Sequence, residues 1–217
     1  LSFSLSGRQN CDTGCRLLHT CYASKIERLY PDLKAKLARH YRNGPLFVLN
    51  RAIAQWKPVK WARLSVDGSL PPRSSMSSKA WATFGKRLRV LVQLGIETGA
   101  QWHIPVESVA KARSYRALLA GLNVVVRRTS QAKHWRALLG FTDQYAWVVA
   151  KSRMTRGRLT PAECAENTAE AYRVAEKLRA HGQSGVVCSA VARDSKCGQC
   201  TACADPRVDF VLYPLHN

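Results

Sequence analysis

The sequence predicts an α/β fold, an incomplete (β/α) barrel of about six to seven mostly parallel strands with a C-terminal cysteine-rich metal-binding loop. Three observations predict it. Compact apolar, β-branched segments alternate with segments of helical periodicity at least five times along the chain. The helical segments are long enough to serve as crossovers between parallel neighbours. The last two strand segments, "GVVCSAV" and "VDFVLYP", flank a cluster of cysteines. A doubly wound sheet satisfies the same alternation. At 217 residues the chain suffices for a core of its own and reads as a single α/β domain, 1–217, with 188–206 as the metal loop.

In order along the chain, "LSFSLS" alternates apolar and polar residues from Leu1 to Ser6, as a half-buried strand does, and Gly7 ends it. A helix is expected from Ala23 to about Tyr41, broken near Pro31, and a helical pattern continues through Phe47, Leu49, Ile53 and Trp56 to Pro58. "VKWARLSV" is a strand and "DGSLPPRSS" a loop. The helix from Ser78 to Leu94 has Trp81, Phe84, Leu88, Leu91 and Val92 on its inner face. "QWHIPVES" reads as a short strand entering a loop at Pro105, "SVAKARSYRALLAG" as a helix closed by Gly121, and "NVVVRRT" as a buried strand. "QAKHWRALLG" is expected to be helical and "QYAWVVAK" a strand. Thr160, Pro161 and Glu163 mark a capping box, with Pro at the first position of a helix that runs to about His181. No short repeat or low-complexity segment interrupts this series.

Charge bounds the partners. The chain carries 34 Lys and Arg against 14 Asp and Glu, a formal net charge of +20. Basic residues recur from Arg8 to Arg207, so the field is that of a broad surface rather than a tail. Nucleic acid, DNA or RNA, is the expected partner, within or outside a protein or ribonucleoprotein complex. There is no apolar run of about eighteen residues, and "LSFSLSGRQ" lacks the basic and apolar regions of a signal peptide; the expectation is a cytoplasmic protein without a membrane partner.

In a reducing compartment, eight unevenly spaced cysteines point to metal rather than to disulfides. Cys188, Cys197, Cys200 and Cys203 offer four thiolates, the last three as a Cys-x2-Cys-x2-Cys run of the kind that wraps a [4Fe–4S] cube. Zinc remains the alternative, although its usual pair of separated knuckles is missing. Cys11, Cys15 and Cys21 form a second group, which either holds a second cluster with one iron open or joins the C-terminal thiols in one site. One or two [4Fe–4S] clusters follow. Cys164 sits one position past Glu163 on the capped helix and reads as a small core residue.

"CDTGCRLLHTCYA", following a short strand, resembles the cluster loop of radical S-adenosylmethionine enzymes, although the gap from Cys15 to Cys21 is longer than that family uses. The chain is similar over nearly its whole length to the gene-product-eighty-eight-like group of phage and plasmid proteins. The residues that carry this likeness are Cys11, Cys15, Cys21, Tyr22 and Ala23 early in the chain. Late in the chain they are Cys188, Lys196, Cys197, Gly198, Cys200 and Cys203, and then Tyr213, Pro214 and His216. The resemblance implies an iron-sulfur, radical-enzyme-like barrel. In it Cys11, Cys15 and Cys21 hold a cluster open to S-adenosylmethionine, and the late cysteines hold an auxiliary cluster. Asp67 and Gly68 follow the second strand, where such enzymes touch the methionyl amine of the cofactor; as residues alone they are also a plain turn signal.

Residues that follow the strands of a parallel sheet share one rim, which would gather Cys11, Asp67, Glu107, Arg127 or Arg128, Lys151 and Cys188. Glu107 and Asp67 are the candidate catalytic groups. Glu107 could orient a substrate or act as a base, and His103 sits before it in the sheet. Arg127 and Arg128 leave their strand in opposite directions, so one of them faces the rim with a fork suited to phosphate. The loop "KSRMTRGR", with Lys151, Arg153, Arg156 and Arg158, is the expected nucleic-acid contact. Phosphate-loop, nucleophile-elbow and zinc-protease motifs are missing, so NTPase and ordinary hydrolase functions lack support. Two readings stand: a radical-enzyme-like iron-sulfur protein, and a non-catalytic nucleic-acid-binding module stapled by zinc or a closed cluster.

Overall fold

The computed structural model describes residues 2–3, 31–64, 70–130, 132, 134–151, 159–192 and 200–215, with the backbone alone at 2–3, 31–42, 130 and 191. Where the sequence reads as one domain, the chain divides into two compact units, Leu1–Val126 and Arg127–Asn217. All registered strand pairs are parallel, in an open α/β arrangement.

The first unit has the strand order β1 (Ser2–Phe3), β2 (Trp61–Leu64), β3 (Gln101–Val106) and the first half of β4 (Val124–Ser130). Helix α1 (Pro31–Ala54) is broken at Gly44, whose φ of 76° and ψ of 169° no helix contains; Pro45 then restarts the helix where its missing N–H costs nothing. The helix begins at Pro31, and the segment from Ala23 to 30 that was expected to precede a break there lies outside the described residues; the break at Gly44 was not foreseen. Helix α2 (Ser78–Glu97) starts where the Ser77 hydroxyl accepts from the Ala80 N–H at 3.2 Å. It buries Phe84, Leu88, Leu91 and Val92 as its periodicity predicts, while Trp81 is half-buried. β3 runs on through Pro105 to Val106, where a loop was expected to begin at Pro105, and its register with β2 pairs Gln101–His103 with Trp61–Arg63. Helix α3 (Val109–Leu118) is capped by Ser108. The core joins Trp102, stacked on Trp56 at 5.6 Å, to Phe84 and Tyr115 in an edge-on pair at 6.1 Å. The Tyr115 hydroxyl donates to Pro71 O at 2.9 Å.

The second unit has the order β4, β5 (Tyr145–Val149), β7 (Phe210–Pro214), β6 (Gly185–Val187). The last two strands are exchanged relative to their order in the chain. "QAKHWRALLG" makes only a 3-10 turn, Trp135–Leu138, where a helix was expected. Trp135 is held there by Arg136 and Lys177, whose cations lie 5.3 and 5.4 Å from its ring centre. Helix α4 (Pro161–Ala180) has the expected capping box in full, and packs on β5, β6 and β7 through Ala171, Val174, Ala175 and Leu178. Gly185 faces the ring of Phe210 so closely that a Cβ there would lie inside it. Phe210 in turn stacks on Tyr145 at 6.1 Å. No helix among the described residues is long and apolar enough to cross a membrane.

Candidate metal crossover

Parallel neighbours need a crossover, usually a helix that covers the sheet. Between β6 and β7 that role falls to a segment whose described residues hold only the short helix α5 (Ser189–Ala192) and a 3-10 turn, Ala202–Ala204. This is the cysteine-rich stretch.

Cys188 leaves β6 with its N–H bonded to Leu212 O at 2.8 Å, and its carbonyl accepts from Ala192 N to start α5. Its side chain is buried. Cys200 and Cys203 are half-buried, and the Cys203 Sγ lies 3.0 Å from the hydroxyl of Tyr213. Cys188 and Cys203 thus approach adjacent residues of β7, Leu212 and Tyr213. Cys197, expected as the remaining ligand, lies outside the described residues, and among those described no three His, Cys, Asp or Glu side chains form a ready-made ion site. The donor chemistry suits a soft metal: free thiols, partly shielded from water, with the Asp205 carboxylate of the crossover engaged by Arg207.

Arg127 defines the other side of this segment. It is fully buried, against the expectation that one of the two arginines faces a ligand with its fork. Its Nε donates to Cys203 O at 3.4 Å. Nη1 donates to Tyr145 O, Val208 O and Asp209 O at 3.3, 3.0 and 3.2 Å, and Nη2 to Ala202 O and Asp205 O at 3.4 and 3.5 Å. The carbonyls of Tyr145, Val208 and Asp209 sit where β5 and β7 begin, and those of Ala202, Cys203 and Asp205 belong to the turn that precedes β7, so Arg127 is not on the rim that follows the strands. Burial pushes the guanidinium pKa down, and the negative character of Cys203, Tyr213, Asp209 and Asp205 opposes that.

Arg128 is also engaged: it pairs with Asp143 at 3.0 Å and its guanidinium stacks 3.6 Å from the centre of the Phe141 ring. Lys151 follows β5 on the strand-end side, half-exposed and 3.7 Å from Glu166. Its N–H donates to the side chain of Asn167 at 2.7 Å, and Asn167 donates to Leu215 O at 3.0 Å. Asn167 is fully buried on α4 and was not singled out by the sequence reading; a polar residue amid Ala171, Val174 and Ala175 is the signal that marks it. Arg153, Arg156 and Arg158 lie outside the described residues.

In the first unit Glu107, a candidate catalytic carboxylate, is bound by Lys111 one turn along α3 and is a quarter exposed. His103 is buried, its ring 6.5 Å from that of Trp61. Asp67, Gly68, Cys11, Cys15 and Cys21 lie outside the described residues. Cys164 occupies the capped first turn of α4, half-buried, with its N–H bonded to Thr160 O. Comparison of the chain with protein-family models, with curated proteins and with solved structures found no match.

Proposed function

We propose that the protein is an iron-sulfur-cluster protein that binds nucleic acid through a basic surface, acting in the reducing cytoplasm in the biology of a phage or plasmid. One observation supports this reading: two of the four cysteines, Cys188 and Cys203, meet β7 at neighbouring residues, Cys188 through its N–H to Leu212 O and Cys203 through its Sγ to the Tyr213 hydroxyl. Cys188, Cys197, Cys200 and Cys203 would hold the group, and their spacing favours a cubane over zinc. When bound, such a cluster supplies one-electron chemistry and would cross-link the two ends of the β6–β7 connection. The net charge of +20 supports the polyanion partner. Chemistry on S-adenosylmethionine would fall to Cys11, Cys15 and Cys21, with Asp67 and Gly68 at the cofactor.

Anaerobic purification followed by iron and acid-labile sulfide analysis tests the metal. About four of each per chain support one cubane and about eight of each support two. Zinc without sulfide leaves the stapled-module reading, and a chain without metal refutes both. Cleavage of S-adenosylmethionine after reduction tests the enzyme step separately. Binding to single-stranded and duplex nucleic acid that weakens steeply with salt supports the partner, and its absence at low salt removes it.

A further inference from the structure

The most unusual polar group in the described residues is the guanidinium of Arg127. It is fully enclosed, and no carboxylate lies within ion-pairing distance of it among the described residues. Burying a cation without a partner of opposite charge is expensive, and proteins keep such groups where charge or geometry is needed. Among the described residues its hydrogen bonds go to six backbone carbonyls, five of which belong to 202–209, the C-terminal half of the cysteine crossover. Carbonyl dipoles solvate the cation; they do not neutralise it. Its charge therefore remains as a fixed positive field beside Cys203, whose own carbonyl it binds.

We propose that Arg127 is the positioning residue of the cysteine crossover and the built-in counter-charge for an anionic thiolate-bound cluster held there. The inference rests on the cluster reading above. Geometry supports the first half. A guanidinium has five N–H donors in a rigid fork, so one side chain can gather carbonyls from both sides of the Ala202–Ala204 turn and from the entry to β7. This fixes the backbone on which Cys203 is mounted before any metal arrives. Charge supports the second half. A [4Fe–4S] cube with four thiolates is a net anion, and nearby positive charge stabilises it further as it takes up an electron.

The test uses the full chain reconstituted anaerobically, as wild type, Arg127→Lys and Arg127→Gln. Three quantities are read: iron loss to a chelator, the midpoint potential of the cluster, and retention of fold by circular dichroism. Lysine keeps the charge and loses the fork. Arg127→Lys should therefore release iron about tenfold faster with its potential unchanged. Glutamine loses both, so Arg127→Gln should release iron about 10- to 100-fold faster and shift the potential negative. A folded Arg127→Gln protein with wild-type release and potential overturns the proposal. Should Arg127→Gln fail to fold, Arg127→Lys decides: wild-type release overturns the proposal, and faster release at unchanged potential supports it. A wild-type chain that reconstitutes no cluster refutes the functional reading itself and this inference with it. That outcome is seen in the wild type alone and so is distinct from a failure confined to the variants.

Discussion

Asn167→Ala tests the joint between α4 and the ends of β5 and β7. The Asn167 side chain has no solvent exposure and bridges two backbone groups, accepting from Lys151 N at 2.7 Å and donating to Leu215 O at 3.0 Å. Truncation leaves one donor and one acceptor without this partner, each costing about 1–3 kcal/mol where water cannot replace it. Lys151 is exposed and its amide can recruit water in part, which puts the sum at about 2–4 kcal/mol. Chemical denaturation followed by circular dichroism reads the loss. Hydrogen exchange at the Lys151 amide reads its location, since that proton loses its only named acceptor. A change below about 0.5 kcal/mol with Lys151 protection intact would show that the bridge is incidental, and that the entry to the basic loop is fixed by other contacts.

Gly185→Ala should destabilise the second unit by about 1–3 kcal/mol, because the added methyl must displace the Phe210 ring from its stack on Tyr145; a neutral effect in thermal melting would contradict that packing. Burial, aided by Glu107, raises the Tyr115 pKa, and burial, aided by Asp209, raises that of Tyr145. Both phenols stay neutral in the fold while their unfolded counterparts ionise near pH 10, so their contribution is complete below about pH 10 and is lost as pH rises beyond it. Near-ultraviolet absorbance should show these two tyrosines ionising only with unfolding, and reversible titration of every tyrosine in the intact fold would count against their burial. Neutralising Arg153, Arg156 and Arg158 together should weaken nucleic-acid binding on all sequences and flatten its salt dependence by about three contacts, and unchanged affinity would move the interface elsewhere.

Local signals account for what could be read in advance. The capping box at Thr160, the start of α2 at Ser78 and the β-branched run of β4 are each decided within a few residues, and each forms as expected. Pro105 misled because a proline reads as a strand breaker, whereas β3 carries it within Gln101–Val106. The periodicity of "QAKHWRALLG" was real but short, and one 3-10 turn satisfied it. Arg127 was visible as an odd cation in an apolar strand. Its inward role was not, since the carbonyls of the crossover that it binds lie 75–82 residues further along the chain. Strand order has the same character: nothing near "VDFVLYP" says that it inserts between β5 and β6.

That insertion has a consequence for synthesis on the ribosome. β7 is made after β5 and β6 yet lies between them, so neither can complete its hydrogen-bond ladder in the second unit until Pro214 has emerged. Until then β5 and β6 each leave an edge open to other chains, the circumstance in which nascent strands misassociate. The cysteine crossover emerges during this interval. The second unit therefore depends on the emergence of its last strand, and slowing or stalling within 188–214 would prolong its exposure to aggregation and to proteases.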